Sequence, residues 1–226
     1  MKINREIVII LTTLIALFLL FEITNIDMFV QKFFYDDISH KWLLSHEKGS
    51  WLDIVFYTGI KKSIIAFAVI ILFLYLYSFR KSAKKLREYR EGLLIVWLSV
   101  AIVPALIGFL KATTNVPCPC DAFVFGGDYP YIRVLDSMPQ EIMKKFKCYP
   151  AGHASGGFAL MSLFFLFKSK INQILALVVT LIIGWSMGIY KMLIGDHYLS
   201  HTIITMVLSW LLILIIKKVV NKYCKL

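Results

Sequence analysis

Long apolar stretches alternate with polar ones along this chain, and their lengths carry the first information. Six stretches read as membrane-spanning helices, about Ile7–Phe21, Ile64–Phe79, Leu93–Leu110, Ala154–Phe167, Ile174–Leu193 and Thr202–Ile216. A span takes roughly 17 to 25 mostly apolar residues. The fourth stretch is short and needs the small residues before it to reach across. The pattern predicts an all-α integral membrane protein, a bundle of six transmembrane helices forming one domain over residues 1–226, because no Gly/Ser/Pro linker or repeat divides it. Ile7–Phe21 follows Lys2 and Arg5 as a secretory leader would. Glu22-Ile23-Thr24-Asn25 offers no small-x-small cleavage site, so the stretch reads as an uncleaved anchor.

Two polar stretches are long. Residues 23–62 interleave charges with Phe29, Phe33, Phe34, Tyr35, Trp42, Trp51, Phe56 and Tyr57, which predicts amphipathic helices in the headgroup layer. Residues 111–153 hold five of the six prolines and three of the four cysteines. A loop of that length is functional or disordered, and its Pro, Cys and aromatic content opposes disorder. A short third turn reads "IGDHYLSH", Ile194 to His201.

Composition agrees with a membrane protein, with 59% hydrophobic residues and a mean hydropathy of +0.73. The net charge of +11 suggests nucleic acid until it is placed on the spans. One side of the predicted bundle holds fourteen basic residues, among them Lys2, Arg5, the run Arg80 to Arg90, Lys168, Lys217 and Lys225, against the acidic Glu6, Glu88 and Glu91. The positive-inside rule makes that side cytoplasmic, so both termini lie inside and both long polar stretches outside. The basic run is then a topology signal, and no nucleic-acid partner is expected. The lipid bilayer is the expected partner at this point; the oligomeric state is not legible.

The outward ends of three spans carry ionisable groups. Lys111 closes the third span in "KATTNVPCPCD", Pro150-Ala151-Gly152-His153 opens the fourth, and His197 and His201 follow the fifth. This arrangement resembles the type-2 phosphatidic acid phosphatase family, six-span enzymes that remove phosphate from lipids, whose pattern is K-x6-R-P, P-S-G-H and S-R-x5-H-x3-D. Here the first motif reads Lys111, six residues, Cys118-Pro119; the second Pro150-Ala151-Gly152-His153; the third Tyr190-Lys191, five residues, His197, three residues, His201. All spacings hold, while Cys118, Ala151, Lys191 and His201 depart from the pattern.

The resemblance implies a metal-free, cofactor-free phosphatase in which His197 attacks phosphorus to form a phosphohistidine and His153 protonates the leaving group. Lys111 and Lys191 would hold the phosphate oxygens, with backbone N–H groups from Gly152 onward adding partial positive charge. The same glycines also suit close helix packing. Lysine lacks the bidentate fork of the two missing arginines. Arg133, Lys144, Lys145 and Lys147 are candidate substitutes. His201 stands where the family carries the aspartate that orients the nucleophile, and Asp121, Asp128 or Asp136 are candidates to replace it. Asp196, placed on a helix, would point away.

Cys118, Cys120 and Cys148 face outward, where disulfides are permitted. A bridge from Cys118 or Cys120 to Cys148 would tie the first motif to the second; Cys118 to Cys120 is geometrically poor, and three free thiols are the alternative. The implied substrate is phosphatidic acid, phosphatidylglycerophosphate, a polyprenyl diphosphate or lipid A, in a bacterial cytoplasmic (inner) membrane. Three other readings remain open at this point: a lipid phosphotransferase, a zinc hydrolase using His197 and His201 with His153 or a cysteine, and a phospholipid-binding member without turnover.

Overall fold

A computed structural model covers the chain and describes residues 5–45 and 49–223. The expectations for Lys2, Cys224 and Lys225 lie outside the described residues. In chain order come α1 (Arg5–Ile23), α2 (Ile26–Gln31), and a small antiparallel hairpin of β1 (Tyr35–Asp36) and β2 (Lys41–Trp42). Next, α3 (Trp51–Asp53) runs through a π-helical turn, Ile54–Gly59, into α4 (Ile60–Tyr77). Then follow α5 (Lys84–Arg87), α6 (Arg90–Thr113), a long loop, α7 (Gly152–Ala159) with a 3-10 extension Leu160–Phe165, α8 (Lys170–Leu193) and α9 (Leu199–Tyr223).

Five helices among the described residues are long and apolar enough to cross a membrane: α1, the continuous rod Trp51–Tyr77, α6, α8 and α9. The protein is thus a predominantly helical multi-pass membrane protein. Its fourth apolar stretch forms α7, eight residues, and six residues of 3-10 helix. Their rises add up to about 24 Å, short of the roughly 30 Å hydrocarbon core. Ala154, Phe158, Ala159, Leu160 and Met161 are all buried, so this segment meets protein more than lipid.

One sequence expectation needs correction. The second span begins at Trp51 and not at Ile64, because a π turn carries the helix through a region that hydropathy alone leaves outside. Gly59 permits that turn, since a Cβ there would lie 2.4 Å from the Ile54 carbonyl oxygen. The described residues of 23–62 form α2, a 3-10 turn Lys32–Phe34, the hairpin and the start of the rod.

The core lies between α6, α7, α8 and α9, where Val96, Val103, Ile107, Phe158 and Ile213 are fully buried. α7 crosses α8 at two glycines: a Cβ on Gly157 would sit 2.7 Å from the Gly184 Cα, and one on Gly184 would sit 2.3 Å from the Phe158 ring. That close approach fixes the second half of α7 against α8 roughly two to three turns before its end. At the opposite end of the bundle, Lys168 pairs with Glu88 at 2.5 Å, and Lys217 lies 4.4 Å from the Phe165 ring centre.

Candidate active site

The last turn of α6, the first turn of α7, the end of α8 and the start of α9 meet at one end of the bundle. Lys111 lies against the opening of α7: a Cβ on Gly152 would be 3.4 Å from the Lys111 Cδ. His153, one residue on, places its Nδ1 3.4 Å from the Nε2 of His197. His197 in turn places its Nδ1 3.4 Å from the Nδ1 of His201. The three imidazoles therefore form a row, with the middle ring addressed on both edges.

The row is held from outside. His197 sits in the turn between α8 and α9, where its backbone N–H donates to the Lys191 carbonyl at 3.2 Å. The rings of Tyr149 and Tyr198 meet His201 edge-on at 5.2 and 5.3 Å, and the Cys148 carbonyl lies within reach of its imidazole. A disulfide joins Cys118 to Cys148 with Cα atoms 5.2 Å apart, tying the loop after α6 to the loop before α7, while Cys120 is free. Ser200, in the first turn of α9, donates from its N–H to Asp27 at 2.8 Å and from its hydroxyl at 2.5 Å. Asp27 belongs to α2 and is buried, and burial pushes its carboxyl up to about 6.

The electrostatics favour a neutral His197. The ring is buried, and that burial, joined by the neighbouring His201, Lys111, His153 and Lys191, pushes it well below its usual range. Lys191 is buried as well. Its ammonium bonds Asp196 at 2.8 Å and stands 4.7 Å from the centre of the Tyr57 ring. The same tyrosine meets His153 edge-on at 4.7 Å.

Asp196 thus corrects its sequence reading. The α8 helix ends at Leu193, and the turn through Gly195, at φ +78, swings the carboxylate back onto Lys191. The candidate substitutes for the missing arginines lie elsewhere. Arg133 bonds Thr24 and Asn25 at 3.0 and 2.7 Å, Lys144 pairs with Asp121 at 3.0 Å, and Lys145 and Lys147 are exposed. Among the carboxylates considered for His197, Asp121 holds Lys144, Asp136 accepts the Arg133 N–H at 2.9 Å, and Asp128 is exposed.

The histidine row also bears on a metal reading. His153 and His201 address opposite edges of His197, so the three do not converge on one tetrahedral point. Among the described residues, the group with metal-ligand spacing is Cys118, Cys120 and Asp121, and Cys118 is already committed to the disulfide.

From Lys111, Gly152 and His153 an open, mostly apolar groove of about 500 Å³ runs between α4 and α6, past Ile64, Ala68 and Trp97. Lys111 and Trp97 are separated by about 20 Å of helix at 1.5 Å per residue. Tyr57 and Lys61 line its mouth. Sequence reasoning assigned neither to the site. The available signal was their i, i+4 spacing, which puts both on one helix face.

A family model described as the PAP2 superfamily matches residues 92–224. No curated protein and no solved structure matches the chain. The matched region contains Lys111, Gly152, His153, Lys191, His197 and His201, and it leaves out Asp27, Tyr57 and the α4 wall of the groove.

Proposed function

The chain belongs to the PAP2 superfamily, and from that premise we propose that it is a membrane-embedded lipid phosphatase working through a phosphohistidine on His197. Members of the superfamily are generally phosphatases of phosphate esters, often lipid ones. The observation that carries the reading is the meeting of two features. Two lysines and a histidine row gather beside an open, mostly apolar groove of about 500 Å³ that Lys111 and His153 line.

Each group has a role that its geometry suits. With the Nδ1–H of His197 donated to His201, the Nε2 lone pair faces His153 and is free to attack. The N–P bond forms as the bond from phosphorus to the lipid oxygen breaks, and His153 gives that oxygen its proton. Water then attacks phosphorus, surrenders its proton to His153 and releases inorganic phosphate from His197. The two nitrogens stand 3.4 Å apart, so that pair opens to admit the phosphoryl group. Lys111 and Lys191 neutralise the equatorial oxygens. His201 orients the nucleophile in place of a carboxylate, a weaker support for the imidazolium.

We take α7 with its extension as a sixth crossing, which returns both termini to the basic, cytoplasmic side. The Cys118–Cys148 disulfide at the site end fits an oxidising exterior compartment, and a bacterial cytoplasmic membrane suits both. The substrate is a phosphate monoester or diphosphate of a membrane lipid. The test is acid-quench trapping with a labelled lipid phosphate in detergent. An acid-labile, base-stable phosphoprotein that vanishes in His197→Ala supports the proposal; turnover with no such species, or label retained in the variant, contradicts it.

A further inference from the structure

Asp196, the carboxylate bonded to buried Lys191, is the charged group of the site that the phosphatase chemistry leaves unused. A phosphate-binding ammonium is expected to wait for its anion in water or beside neutral donors. Here it is already bonded, at 2.8 Å, to a carboxylate from the turn that carries the nucleophile, with Tyr57 closing over it. The carboxylate is itself mostly buried, 20% exposed against 5% for the lysine side chain, so water screens the pair poorly. Lys111 stands within Coulomb range of both partners. Among the described residues, two cations and one tethered anion therefore share the pocket into which a phosphoryl group has to come.

We propose that Asp196 is a specificity-determining residue, an internal anion that occupies Lys191 until a more highly charged phosphate displaces it, and so excludes the phosphodiester lipids of the surrounding bilayer. This inference rests on the phosphatase reading. Its physical basis is competition. A groove open to the membrane faces phospholipid headgroups at very high local concentration, and most of them are diesters with one negative charge on phosphorus. Such a monoanion offers Lys191 no more charge than Asp196 does, while Asp196 is tethered and has no association entropy to lose. A monoester dianion or a diphosphate offers more charge, spread over oxygens that reach Lys111 and Lys191 together. It wins the exchange, and the carboxylate moves off as the phosphoryl group meets His197.

The sign of the expected effect separates this role from a structural one. Damage to a turn weakens binding, whereas removal of an internal competitor strengthens it. The experiment measures, in detergent micelles, the affinities for inorganic phosphate and for phosphatidylglycerol, a monoanionic diester, by titration calorimetry, and the inhibition constant of phosphatidylglycerol against a lipid phosphate monoester. The expected result for Asp196→Asn is diester binding tighter by about tenfold or more, a smaller gain for the monoester, and an unraised kcat. Asp196→Glu restores discrimination. In a Lys191→Gln background the gain from Asp196→Asn is several-fold smaller, because the ammonium bonded to the carboxylate is gone and only its Coulomb effect on Lys111 is left to relieve. Unchanged or weaker diester affinity in Asp196→Asn overturns the inference, as does an equal gain in the Lys191→Gln background. The calorimetric arm needs no turnover. Phosphate binding with diester discrimination but no phosphate release leaves the inference standing and sinks the phosphatase reading; absence of anion binding in both proteins sinks the two together.

Discussion

The packed half of the bundle and its peripheral half differ in how much of themselves they hide. Half of the most apolar window of α9 is buried, 50%, against 6% for α1 and 11% for the Trp51–Tyr77 rod. Every residue assigned to the chemistry lies in the packed half, which is also the part that the PAP2 family model matches. The peripheral half supplies Tyr57, Lys61 and a groove wall. Reacting atoms need placement to within a fraction of an ångström, which packing on all sides provides. A lipid chain needs a way in from the side, which a loosely held helix provides. Changes in the packed half should therefore remove chemistry, and changes in the peripheral half should alter which lipid is taken.

The sharpest contrast comes from the nucleophile. His197→Ala should lower kcat by about a thousandfold or more with the fold intact, read as phosphate release alongside thermal stability. His153→Ala should cost on the order of a hundredfold with an alkyl leaving group and much less with an aryl one. Equal losses on both substrates would remove the general-acid role. For Lys111→Ala the expected fall in kcat/KM is about ten- to a hundredfold, the worth of a charge-assisted hydrogen bond. On the peripheral side, Ala68→Trp fills the groove and should raise KM about tenfold for a long-chain lipid phosphate, from the loss of a few buried methylenes. It should leave a short-chain, water-soluble phosphate ester untouched, and an equal effect on both would break the division of labour.

The smallest effect is a shift along the pH axis. Protonation of His197 removes the nucleophile, and burial holds its pKa well below the usual range. The acid limb of kcat/KM assigned to this ring should then lie below the ordinary imidazole value of about 6.5. The linked stability has the same sign: the buried neutral ring favours the fold above that value, and the benefit is lost as pH falls below it. A limb at or above about 6.5 that moves in a His197 variant would show the ring to be solvated.

Much of the site is legible in the sequence because each of its parts sits at a helix end. Lys111 closes an apolar run, Gly152 and His153 open one, and His197 and His201 frame a turn, so local spacing alone brings three motifs to one end. The hidden parts depend on contacts between distant segments. Asp27 reaches Ser200 across 173 positions, and nothing near "NIDMF" announces it. Asp196 misleads because a helical register carried past Leu193 points it outward, whereas the turn at Gly195 brings it in. The same limit explains α7. Its small residues read as an incomplete span, and the Gly157–Gly184 crossing that packs the short segment against α8 is a tertiary fact.

The most direct measurement is inorganic phosphate release by the purified protein in detergent, with EDTA present, over a panel of lipid phosphate monoesters and diphosphates, comparing wild type with His197→Ala. Release by wild type from at least one lipid, lost in the variant, is the predicted result. Release that survives the substitution, or that EDTA abolishes and zinc restores, would contradict a metal-free phosphohistidine enzyme.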